Sequence, residues 1–132
     1  MNMKNTDMMK NLKNLPYIKQ RISVMGEELA YLKELVEEID PETDAGSTKQ
    51  AIDDLAHRRM SEIQQLTRIA TYLHHYIDLV DDMNCQIVLE QRYILNKPWV
   101  AISIDMGYGL DNVYKLHRKA LAKLDDVMDD VA

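Results

Sequence analysis

One pattern constrains this chain more than any other: apolar residues alternating at spacings of four and three. Ile18, Ile22, Met25, Leu29, Leu32, Val36 and Ile39 follow it without interruption, which places all seven on one seam of a coiled-coil-like helix. Pro16 suits a first helical turn and Pro41 cannot continue a helix, so the spacing predicts a helix over about 15–40. The stretch PETDAGST then reads as a connection, with Ser47 and Gln50 as a capping box that opens a second helix.

That second helix is expected over about 48–82, with Ile52, Ala56, Arg59, Ile63, Leu66, Ala70, Leu73, Ile77 and Val80 along its seam. Arg59 is the one misfit and marks where the seam meets water or an acidic partner. Two matching seams joined by a short loop predict an antiparallel helical hairpin. At 1.5 Å per residue the second helix outreaches the first by roughly 13 Å. The excess, which includes Leu73, Tyr76, Ile77 and Val80, must pack on something else, and the C-terminal segment is the nearest candidate.

No segment alternates with a period of two, and four Gly with three Pro leave little material for hairpin turns. An all-α protein follows. The single cysteine, Cys85, cannot close a disulfide within the chain. Residues 1–14 carry lysines without a continuous apolar core, unlike a signal peptide, and are expected to be a flexible basic N-terminus. No stretch approaches the roughly 18 apolar residues of a membrane span. By elimination, the protein is expected in the cytoplasm.

Catalytic and metal chemistry find little to work with. His74 and His75 are adjacent, so on a helix they point about 100° apart, and His57 lies more than four turns away. No nucleophilic triad, phosphate-cradling glycine loop or paired carboxylates can be assembled. The chain is therefore expected to be neither an enzyme nor a metal or cofactor protein.

The net charge of −6 conceals blocks of opposite sign. Residues 1–21 carry +4, 22–47 carry −7, 48–82 carry −2, 83–124 carry +3, and the tail 125–132 carries −4. Local sign, not the average, sets the field at a binding face. Within the basic block, QIVLEQRYILN makes a third helix, preceded by Asp82 or Asn84 as N-cap and stopped at Asn96. KPWVAISIDMGYGLDNVYKLHRKALAKL follows. Pro98 begins a short helix with Trp99, Ile102 and Met106 to one side, and Gly107 suits a left-handed helix stop. Gly109 opens a longer helix whose inner stripe is Val113, Leu116, Ala120, Leu121 and Leu124. Its outer face holds Leu110, Asp111, Tyr114, Lys115, Arg118 and Lys119. A short helix, a glycine turn and a longer helix with reaching polar side chains fit the helix-turn-helix plan.

Residues 83–124 resemble region 4 of sigma-70-type sigma factors, through VLEQRYI (88–94), Trp99, Ile102, Gly107, Val113 and ALAKL (120–124). With the charged helical segment before it, the chain is similar to the small ArpU/RinA-type phage transcriptional regulators. The sigma-like frame covers 42 of 132 residues. By position, the resemblance puts the DNA-facing slots on Leu110, Asp111, Tyr114, Lys115 and Arg118. Gly109 stands where the family has Ser or Thr, Leu110 replaces a charged base reader, and Ser103 replaces Ala.

The resulting expectation is a helical hairpin over 15–82, a helix-turn-helix over 83–124 and an acidic tail over 125–132. Its function would be sequence-specific regulation of transcription on double-stranded DNA. Lys97, Lys115, Lys119 and Arg92 would neutralise phosphates, while Asp111, Tyr114 and Arg118 read base edges. Asn112 suits adenine edges, and Leu110 a thymine methyl. About four to six phosphate contacts imply a log–log salt slope near −4 to −5. His117 is expected in a phosphate or interhelix contact. The acidic tail is expected to continue the last helix or fray from it, with the further hypothesis that it lies back over basic residues and restrains DNA binding. The competing expectation is a protein–protein module that docks on RNA polymerase or inhibits a host protein through the hairpin. A homodimer would suit either.

Overall fold

The computed structural model describes residues 5–40 and 45–131, and all regular structure among them is helical. The elements are α1 (Asn5–Lys13), α2 (Leu15–Glu38), α3 (Ala45–Asp78), α4 (Met83–Leu89), a π-helical turn (Glu90–Ile94), α5 (Trp99–Met106) and α6 (Leu110–Val131). Among the described residues no helix is long and apolar enough to cross a membrane. The chain divides into two units, Tyr17–Arg68 and a second made of residues up to Pro16 with those from Ile69 onward. The division falls inside α2 and α3, whereas the sequence suggests boundaries at 14 and 82.

In the Tyr17–Arg68 unit the spacing of α2 becomes burial. Ile18, Met25, Leu29 and Leu32 are buried, and Ile22, Val36 and Ile39 are half-buried. Off the seam, Tyr17, Val24 and Tyr31 stay exposed at 71%, 51% and 59%. Arg59 meets acid rather than water: its Nε lies 2.9 Å from Glu28 of α2 and its Nη1 2.8 Å from Glu62. Ser47 does not open α3 as an N-cap, because the backbone is already helical at Ala45. Most of the preceding loop, residues 41–44, lies outside the described residues.

The second unit corrects the expectation for the start of the chain and decides between those for its end. Residues 5–13 form a helix, not a flexible terminus, because Met8, Leu12 and Leu15 are buried at spacings of four and three. At the other end α6 runs on to Val131, with Met128 buried. Asn5 Nδ2 donates to Asp125 Oδ1 at 2.9 Å and to Asp129 Oδ1 at 2.6 Å. The acidic residues 125–130 thus belong to a packed helix that receives α1, and do not form a separate cover over basic residues. Leu73, Ile77 and Val80 are buried in this same unit, as the excess length of α3 requires. Cys85, Val88, Leu89, Ile102, Val113, Ala120 and Leu124 complete its core.

Candidate nucleic-acid interface

Local chemistry builds the C-terminal helices in order. Asp82 caps α4 by accepting the Cys85 N–H at 3.0 Å. That bond, with Lys119 beside it, holds the carboxyl below its ordinary range. The Leu95 N–H then donates five residues back, to the Glu90 carbonyl at 2.9 Å, which defines the π turn. Asn96 ends it in the left-handed region, at φ 55°. Pro98 precedes α5 in extended conformation, and its carbonyl accepts the Ile102 N–H. Gly107 stops α5 at φ 72°, where its N–H and that of Tyr108 reach back to the carbonyls of Ile104 and Ser103. The Ser103 hydroxyl donates to the Tyr108 carbonyl and helps to fix this turn. The Gly109 carbonyl accepts the Val113 N–H, and α6 begins.

Val113, Ala120 and Leu124 are buried along α6, with Leu116, His117 and Leu121 half-buried beside them. Asp111, Lys115 and Arg118 lie on the opposite, exposed side. Leu110 and Tyr114 are each 39% exposed, and Tyr114 sets its ring edge-on to Trp99 at 5.5 Å. Asn112, Lys115 and Lys119 line a groove of about 320 Å³ with Asn84, Tyr108 and Leu116.

Three of the expected phosphate contacts are engaged within the chain. Lys97 Nζ lies 2.8 Å from Asp105, and Lys119 Nζ lies 3.2 Å from Asp82. Arg92 Nη1 donates to the Lys97 carbonyl at 3.0 Å, and its guanidinium stacks 4.5 Å above Trp99. Lys123, further along α6, likewise meets Asp81 at 3.2 Å. Carboxylates account for the lysines, eight residues away for Lys97 and about 40 for Lys119 and Lys123; the aromatic ring accounts for the arginine. Lys115 and Arg118 have no ion pair among the described residues.

His117 makes an interhelix contact. Its Nε2 lies 2.7 Å from the Tyr93 hydroxyl, and its ring meets Trp99 edge-on at 4.6 Å. Burial pushes its pKa down to about 4, helped by the charges of Arg92, Lys13 and Arg118. The ring is therefore neutral near pH 7, and Nε2 shares one hydrogen bond with the Tyr93 hydroxyl.

Sequence reasoning missed Lys13. Because α1 is helical, Lys13 lines a pocket of about 320 Å³ with Pro16, Arg92, Tyr93, Asn96 and Trp99. The signal was present in Met8, Leu12 and Leu15, which carry the seam spacing upstream of Ile18. Among the described residues no three of His, Cys, Asp and Glu gather as metal ligands. Comparison with protein families, curated proteins and solved structures finds no match to this chain.

Proposed function

We propose that this chain is a sequence-specific regulator of transcription, of the phage or prophage kind, that binds double-stranded DNA. In this reading α5, the Gly107 turn and α6 act as a helix-turn-helix, and α2 with α3 forms an antiparallel hairpin arm. The observation that carries it is the outer side of α6: Asp111, Lys115 and Arg118 are exposed beside a half-exposed Tyr114, while Val113 and Ala120 anchor the helix from behind. A helix held in this way can enter a major groove without unfolding anything.

The ion pairs narrow the electrostatic share of binding. Lys115 and Arg118 are unpaired cations among the described residues, and the exposed Lys119–Asp82 pair can exchange its carboxylate for a phosphate at small cost. Two or three phosphate contacts at roughly −0.9 each give a log–log salt slope of about −2 to −3. That is shallower than residue counting suggests. The test is selection of bound sites from random duplex DNA, followed by affinity measurements at several salt concentrations. Arg118→Ala is expected to weaken the selected site by about 1–3 kcal/mol and to relax preference at one position. A loss confined to nonselected DNA contradicts base reading by Arg118, and no enrichment of any sequence rejects the proposal.

A second reading has its own observation. Tyr17, Val24 and Tyr31 recur every seven residues on the exposed side of α2. DNA binding by α6 does not use them. A heptad-spaced apolar stripe suits a polypeptide partner, such as RNA polymerase, a host protein or a second copy of the chain. Substituting all three by Ser or Lys would abolish such docking while leaving the DNA affinity of α6 intact.

A further inference from the structure

The pocket beside Lys13 is used by neither reading. Three of its lining residues, Lys13, Arg92 and Asn96, carry N–H donors, and the first two are cations. Among the described residues no carboxylate lines it, and the Tyr93 hydroxyl is committed to His117. Arg92 spends Nη1 on the Lys97 carbonyl and keeps the rest of its five N–H donors. Its stacking on Trp99 holds the guanidinium in place before any ligand arrives. Lys13 is placed by the burial of Leu12 and Leu15 on either side of it. Two cations with no carboxylate between them, one a pre-positioned planar fork, describe an anion site.

Charge decides among anions. A carboxylate brings one negative charge, whereas a phosphomonoester brings about −1.5 to −2 near pH 7, with three acceptor oxygens. The second matches two cations and an amide, and an arginine fork engages phosphate oxygens in pairs. We infer that the pocket formed by Lys13, Arg92 and Asn96 against Trp99 binds a phosphate group. That group is carried either by a free phosphorylated molecule or by the backbone of nucleic acid lying on α6. Only the second source rests on the DNA reading.

The test uses the full chain and inorganic phosphate, with sodium chloride of equal ionic strength as reference. Trp99 is the only tryptophan, so its fluorescence reports on the pocket wall. Phosphate is expected to give a saturable change, with amide shifts centred on Lys13, Arg92 and Asn96. Lys13→Met, at an exposed position, is expected to weaken the response at least tenfold, whereas Lys33→Met, at an exposed position of α2, leaves it unchanged. A second readout is independent of fluorescence. Phosphate bound between Lys13 and Arg92 offsets the charges that help keep the His117 imidazole neutral, so the His117 titration midpoint should rise. An unsaturating response equal to chloride, or a Lys13→Met variant that responds like the parent, overturns the inference. Both results are obtained without DNA, so they stand apart from failure of the regulator proposal. Duplex DNA then separates the sources: release by phosphate at constant ionic strength identifies a backbone phosphate, and indifference identifies a free phosphorylated ligand.

Discussion

At His117 three parts of the chain meet: the Tyr93 hydroxyl hydrogen-bonds its Nε2, Trp99 packs against its ring, and α6 carries it between them. The folded-state midpoint is about 4, against roughly 6.5 in an unfolded chain. As pH falls between these values, unfolded molecules take up a proton that folded ones refuse. The contribution of His117 to stability is thus complete above about pH 6.5 and is lost as pH falls toward 4. His117→Gln, which keeps an acceptor but does not titrate, is expected to remove this part of the decline in melting temperature. Parallel pH profiles for parent and variant would refute the assignment. Arg92 offers a second test at this scale. Lysine retains the charge but not the planar face or the fork, so Arg92→Lys should cost about 1 kcal/mol in urea denaturation. The sequence offered an interhelix contact for His117 beside a phosphate contact, but not its neutral state. That state depends on burial first and then on Arg92 and Lys13, which no local pattern contains.

Among the elements, two glycines separate backbone cost from backbone need. Gly26 lies within α2 with open space where a methyl group would sit, so Gly26→Ala should stabilise by roughly 0.5–1 kcal/mol. Gly107 has equally open surroundings but a φ of 72°. Gly107→Ala should therefore destabilise by roughly 1–2 kcal/mol, through conformation alone. Equal shifts in the two urea midpoints would remove the distinction. Gly107 was readable as a helix stop because its neighbours on both sides carry helical apolar spacing. The π turn at Glu90–Ile94 was not, since one residue of altered hydrogen-bond register barely changes that spacing. What selects it is nonlocal: Tyr93 is buried against His117 while Asn96 turns the chain toward α5.

For the molecule as a whole, α1 and the end of α6 decide how much chain the C-terminal unit needs. Leu12 is buried and Asn5 bonds to Asp125 and Asp129, so the two ends stabilise one another. Leu12→Ala should cost about 2–5 kcal/mol. Removing residues 1–14 should lower the urea midpoint of the full chain, with the transition followed through Trp99. Unchanged stability after either alteration would return α1 to the role of a loose terminus. Deleting 125–132 is expected to destabilise the same unit by removing Met128 from its core. Any change in DNA affinity after that deletion must be read against this loss.

Helical class, the seam of α2, the stop at Gly107 and the inner stripe of α6 follow from sequence, and the α4 cap was narrowed to Asp82 or Asn84, because each depends on residues within a turn or two. Which cations remain available does not. Lys97, Lys119 and Arg92 look alike in sequence, yet Asp105, Asp82 and Trp99 engage them in the folded chain. Lys13 looks like part of a tail, yet folding brings it to the pocket that Arg92 lines. Which partner a long, flexible cation meets, near or far along the chain, depends on how the helices are placed, so only the tertiary structure decides it.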